Sequence, residues 1–240
     1  MKKTVFFLLM IGAGLASADI IASWEISGVD VDTGTGIDEA VSPYAFTSTS
    51  IVTGIEVAKL QLSSAVNPST TASQYGCKVS TTETSLANAI TAGHYIEISI
   101  SVTNGYKLNL SSIEMNGQAS STGWSDAAFM SAIAGYTAGN ELDSVTGIAG
   151  ITGGLDTDSS GWGSPIDLSG AAYQGLTGTT TFRIYGWGAS SGSGVSYIRS
   201  LSGDDLVING AVSVVPEPAA LSMIGFGGLL MLFVRRFYGK

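Results

Sequence analysis

The stretch YIEISISVTNGYKLNL, Tyr95 to Leu110, decides the fold class. Ile96, Ile98, Ile100 and Val102 alternate with Glu97, Ser99 and Ser101. A period of two predicts a β-strand with one buried and one wet face. Asn104-Gly105 carries the chemistry of a tight hairpin turn. A return strand from Tyr106 to Met115 follows, apolar at Leu108 and Leu110. The same period recurs outward from this core. Ile20, Ala22, Trp24 and Ile26 alternate with Ile21, Ser23 and Glu25 to give a first strand. Ile51 to Leu62 reads as one or two strands. Thr179 to Trp187 reads as another, with Phe182 and Ile184 inward and Arg183 and Tyr185 outward. Gly194 to Leu201 and Asp205 to Val214 close the body, with a final hairpin expected around Ser202-Gly203-Asp204.

Helical signals are few. Ser85 to Ala92 is stopped by Gly93, and Ser125 to Ala134 begins with a capping serine and is stopped by Gly135. Glycine-rich turns between short Thr/Val/Ile/Tyr runs favour an all-β domain. The expected fold is a β-sandwich of jelly-roll type with two short helices and long loops at one end. No period of 20 to 50 residues repeats, which argues against a solenoid or propeller.

The two ends of the chain read as addresses. Lys2-Lys3, apolar Val5 to Leu15 and the small-x-small site Ala16-Ser17-Ala18 make a secretory signal peptide, residues 1–18, removed before Asp19. At the other end, residues 215–240 form a three-part segment. Val215-Pro216-Glu217-Pro218 comes first. Two prolines fix φ and disfavour helix before each, so the motif is an extended strip. Residues 219–234 (AALSMIGFGGLLMLFV) carry no charge. As a helix this single membrane span measures about 24 Å, a little short of a ~30 Å hydrocarbon core. Phe237 and Tyr238 can extend it into the interface. The basic tail, residues 235–240 with Arg235, Arg236 and Lys240, stays cytoplasmic by the positive-inside rule. The body between, residues 19–214, suits one domain.

This tail resembles the PEP-CTERM sorting signal of Gram-negative envelope proteins. The resemblance covers Val215 to Arg236, with all three parts in order. It implies that Pro216, Glu217 and Pro218 are the motif recognised by an exosortase, a membrane transpeptidase. Residues 219–234 would then be a transient inner-membrane segment and Arg235-Arg236 the cytoplasmic stop. The protein would pass to the outer surface or its extracellular polysaccharide. A plain, uncut membrane anchor is the other reading of the same residues. Within the body, GYKLNLSSIEMNG (105–117), TTFRIYGWGASSGSG (180–194) and GDDLVINGAV (203–212) are similar to the bodies of PEP-CTERM proteins of planctomycete and verrucomicrobial type. That likeness is one of style and order and carries no catalytic signature.

Charge narrows the partners. The chain carries −9 overall, but half of its ten basic residues lie in the two end segments. The body keeps five basic residues, Lys59, Lys78, Lys107, Arg183 and Arg199, against eighteen acids, a net charge of −13. Such a surface argues against nucleic acid or anionic lipid as a partner. Cys77 is the single cysteine, so no internal disulfide forms. A buried, idle thiol is the expectation.

Four constellations could carry chemistry. Asp156, Asp158, Ser160, Gly161 and Asp167 occupy positions 1, 3, 5, 6 and 12 of the loop DTDSSGWGSPID, the spacing of EF-hand-type calcium loops, with the Trp162 carbonyl at position 7. Gly163 at position 8, Pro165 and the lack of helical flanks count against calcium, and a solvated Asp/Ser turn is the plainer reading. Asp30, Asp32 and Asp38 form a second acidic loop that lacks an acid at its twelfth position, Val41. Trp124 and Trp162, flanked by Gly, Ser and Thr, are candidates for stacking sugar rings, whereas Trp24 and Trp187 sit in strands and are expected in the core. Glu97 and Glu114, on strands joined by the Asn104-Gly105 turn, could face each other as a glycosidase pair. His94, the one histidine, has no triad or metal partners and is expected to be solvated or capping.

The expected function is a non-catalytic envelope or matrix protein that needs no cofactor. A carbohydrate-binding module, with or without calcium, is the alternative. A polysaccharide-active enzyme or an ice-binding protein is more remote, since Thr179-Thr180-Thr181 is a single unrepeated run.

Overall fold

The computed structural model describes residues 19–27, 45–69, 74–79, 81–115, 117–150, 165–199 and 203–215. In chain order the first elements are β1 (Asp19–Trp24), β2 (Ala45–Thr47), β3 (Ser50–Ile51), β4 (Ile55–Leu62), β5 (Asn67–Pro68) and β6 (Gln74–Lys78). Helix α1 (Leu86–Ala92) follows, then β7 (Tyr95–Val102), β8 (Tyr106–Met115), β9 (Gly117–Ala119), β10 (Asp126–Ser131) and β11 (Asp143–Thr146). The last are β12 (Ile166–Asp167), a 3-10 turn (Ala171–Tyr173), β13 (Thr179–Trp187), β14 (Val195–Arg199) and β15 (Leu206–Val214).

The strands form three antiparallel sheets. One has five strands in the order β12-β8-β15-β1-β3, one has six in the order β11-β10-β13-β7-β4-β2, and a small one runs β5-β6-β14-β9. The domain is all-β, as the alternation predicts. Apolar residues of the two large sheets share one core. Ile96, Ile98, Ile100, Phe129 and Phe182 come from the six-stranded sheet, and Trp24, Leu108, Ile113, Leu206 and Ile208 from the five-stranded one. Tyr75, Cys77 and Ile198 of the small sheet continue that core. The result is sandwich-like.

Two expected hairpins are absent. β7 and β8 do pass through a tight turn, with Tyr106 N–H bonded to Thr103 O and Gly105 at φ 86°. Yet β7 pairs with β13 and β4, while β8 pairs with β15 and β12. The turn is an arch between sheets. Both strands have an apolar face, and burying the two against each other removes more apolar surface from water than lying side by side. The closing segments likewise part: β14 joins the small sheet, and β15 lies between β8 and β1.

The helix expected at Ser125 to Ala134 is also replaced. Residues 126–131 are strand β10, between β11 and β13. Ala127 and Phe129 face the main core, whereas Ala128 and Met130 join a second apolar cluster on the sheet's outer side. Burial on both faces erases the period-two pattern. Helix α1 forms as expected. Ser85 Oγ accepts from Asn88 N–H at 3.3 Å, and Gly93, left-handed at φ 71°, closes the end onto Ala89 and Ile90 carbonyls. Leu86 and Ala89 of α1 cover part of the outer face of the six-stranded sheet.

Candidate functional site

The outer face of the six-stranded sheet gathers the densest set of interacting polar and aromatic side chains among the described residues. Register places Gln61, Glu97, Arg183 and Met130 in one row across β4, β7, β13 and β10. Arg183 Nε donates to Glu97 Oε2 at 2.9 Å, and its Nη1 donates to Tyr185 Oη at 3.2 Å. Its guanidinium lies 3.9 Å from the ring centre of Tyr95 and 4.1 Å from that of Tyr136. Tyr136 is fixed in turn by its hydroxyl, 2.6 Å from Thr181 Oγ1. Tyr95 and Tyr136 both meet the Tyr185 ring edge-on.

Burial pulls the Arg183 pKa down, but its bonds to the Tyr185 hydroxyl and the Glu97 carboxylate outweigh that, and the group is held above its ordinary value. Burial pushes the Tyr136 and Tyr185 hydroxyls up, so both stay protonated at neutral pH. The Arg183 side chain is 25 % exposed, with its guanidinium over two tyrosine rings. This cluster locks a loop onto a sheet: Tyr136, between β10 and β11, is held against β7 and β13. Outward-facing Arg183 and Tyr185 are legible from alternation. Tyr136 is not, because a loop residue carries no periodic signal.

The candidate residues scatter. Trp124 is 4 % exposed and belongs to the core, not to a sugar-stacking surface. Its six-membered ring lies over Gly186 of β13, where a Cβ would come within 2.4 Å of three ring atoms. A glycine inside a strand is the sequence mark of such an approach. Trp24 is buried as expected, while Trp187 packs half-buried beside the α1 cluster on the outer face. Trp162, Asp156, Asp158, Ser160 and Gly161, like Asp30, Asp32 and Asp38, lie outside the described residues. Asp167 is described. It is exposed in β12, and its carboxylate accepts from Ser169 N–H at 2.8 Å. That backbone bond holds its pKa below the usual carboxylate range. No group of three or more potential metal ligands occurs among the described residues.

Glu97 and Glu114 do not face each other. With β7 and β8 in different sheets, Glu97 sits on the outer face of one, bonded to Arg183. Glu114 is exposed on the other, accepting from Asn209 Nδ2 at 2.8 Å. His94 is not simply solvated. Its Nδ1 lies 3.1 Å from Oε1 of Glu83, a carboxylate that is 3 % exposed. Its backbone N–H completes the α1 cap on Ala89 O. Cys77 is fully buried, and desolvation pushes its thiol up to about 12. The signal peptide (Ala16, Ala18) and the tail (Pro216, Glu217, Pro218, Arg235, Arg236) lie outside the described residues. Among those described, no helix is long and apolar enough to cross a membrane. No protein family, curated protein or solved structure matches the chain.

Proposed function

We propose that the chain is an exported, non-catalytic protein of the cell envelope or extracellular matrix, delivered through its tail as an exosortase substrate. The observation that carries this reading is the three-part address at the C-terminus. Pro216-Glu217-Pro218, apolar 219–234 and Arg235-Arg236 stand directly behind the body's last strand. β15 runs to Val214, and Val215 N–H still donates to Gly105 O at 2.8 Å. Cutting near the Pro-Glu-Pro would therefore leave β15 and its pairings whole.

On this reading residues 219–234 are a transient inner-membrane segment. The mature body resides at the outer surface or in the matrix, with extracellular polysaccharide as its surroundings. The body itself is a sandwich of jelly-roll type. Support for that comes from the repeated passage of the chain between the two large sheets and from the pairing of its first and last strands.

The test is mass spectrometry of the chain from a host that carries an exosortase. The surface fraction is expected to hold a chain starting at Asp19 and ending near Pro216–Pro218. A Glu217→Ala variant is expected to accumulate uncut in the inner membrane. Wild-type chain that stays uncut there would make the tail a plain anchor.

A further inference from the structure

Four chain segments meet at the end of the body from which the tail departs: residues 51–55, 102–107, 176–179 and 211–215. Backbone bonds tie them together. Thr103 N–H donates to Gly54 O at 2.9 Å, Val102 N–H to Gly178 O at 2.9 Å and Val215 N–H to Gly105 O at 2.8 Å. Gly54, at φ 95°, has no room for a Cβ, which would strike Val212 and Tyr106. This rim holds none of the body's eighteen acids and one of its five basic residues, Lys107. In a domain of net charge −13 that is a marked local exception. Asp19 borders it, lining one hollow with Ile51, Thr53 and Val212, and Glu56 follows it along β4. Val214, 66 % exposed, is the most open large apolar residue of the described body and lies on this rim. Ile51, also exposed, marks its flank.

Chain length then fixes what the rim must meet. Between Val215, still hydrogen-bonded into the fold, and Ala219, where the apolar run starts, stand three residues. Fully extended they reach only about 10 Å.

We propose that this rim is a membrane-docking face: while the tail is uncut, the body stands end-on, with Val214, Tyr106 and Lys107 against the lipid headgroups. The proposal rests on the tail being membrane-inserted. Acidic surface elsewhere is kept away from anionic lipid, Lys107 meets phosphate, and Val214 enters the interface. β15, nine residues long, then points the opposite end some 30 Å away from the bilayer.

The experiment uses the chain from Asp19 to Lys240, as it stands before the tail is cut, in vesicles of phosphatidylcholine and phosphatidylglycerol. Single cysteines at Val214→Cys or Thr53→Cys on the rim, and at Asp204→Cys on the far end, carry a fluorophore. Buried Cys77 does not compete for label. Flotation reports tail insertion, and quenching by a headgroup spin label reports orientation. Both rim labels are expected to be quenched and the Asp204→Cys label not. Adding Lys107→Glu is expected to lower rim quenching without changing flotation. A chain that fails to float removes the tail reading and this proposal with it. A chain that floats with all three labels equally quenched, or none quenched, overturns the docking face and leaves the tail reading intact.

Discussion

Gly186→Ala tests the packing that removes Trp124 from the surface. A Cβ at position 186 would stand 1.8, 2.2 and 2.4 Å from Trp124 Cδ2, Cε3 and Cε2. Ordinary carbon contacts lie at about 3.5 to 4.0 Å, so the ring must move by well over 1 Å. It is buried in the core, so the ring has no solvent to swing into. Overpacking typically costs about 1–3 kcal/mol, and the number of atoms struck places this site at the upper end, about 3 kcal/mol. Against a domain stability of about 5–15 kcal/mol that is a large shift. Trp124→Ala alone should cost about 3–5 kcal/mol. In the double variant the new methyl enters space the ring has left, so the two costs do not add. The expected coupling is about 2–3 kcal/mol in favour of the pair. Urea unfolding of the purified chain, followed by far-ultraviolet circular dichroism, measures all three. A Gly186→Ala cost below about 0.5 kcal/mol, or strict additivity with Trp124→Ala, would refute the contact and return Trp124 to the list of exposed sugar-stacking candidates.

Arg183→Met keeps the side chain's bulk but loses the Glu97 bond and the two ring contacts. With solvent screening it should cost about 1–2 kcal/mol by urea unfolding, and Arg183→Lys should recover little because an ammonium cannot reproduce the fork. Ser85→Ala should destabilise by about 1 kcal/mol, and Ser85→Asp should restore most of it, since either oxygen caps the Asn88 N–H. The folded Cys77 thiol is raised from 9.0 to about 12, so the unfolded chain gives up this proton first. Stability should therefore fall as pH rises from about 9 towards 12, less steeply in Cys77→Ala, in urea titrations across that range. Tyr75, Tyr136 and Tyr185 are raised too and act in the same direction.

Alternation gave β7 and β13 because each has one face in the main core and one facing outward. Gly93 marked the end of α1 because a helix stop acts locally; the Ser85 cap at its start is equally local. What failed was information that local residues do not hold. Asn104-Gly105 specifies a turn with positive φ at Gly105, but whether the flanking strands then pair or part depends on where their apolar faces find partners. β10 hid because its second face is buried too, in a cluster with Leu86 and Ala89 of α1 and Tyr185 of β13. Trp124 sits among Ser, Thr, Gly and Asp, which read as loop. The readable clue lay sixty-two positions later, in the glycine at 186. The candidate site fared less well for the same reason. Glu97 and Glu114 were adjacent only through a hairpin that does not form, and Glu97 instead finds Arg183, eighty-six residues away.

The place of β15 sets the order in which this chain can be made. It occupies the middle of the five-stranded sheet, between β8 and β1, with Asp19 opposite Gly210 and Trp24 opposite Leu206. On the export reading, β1 would leave the channel first and would wait for nearly the whole body to follow. Pairings this distant form late and slowly. On that reading the domain would cross the membrane without a finished sheet to unfold, and a tail held in the bilayer would keep the final strand near the partners it must join. Any clip before Leu206, during synthesis or afterwards, takes away the strand that bridges β1 and β8 and leaves two open edges to aggregate.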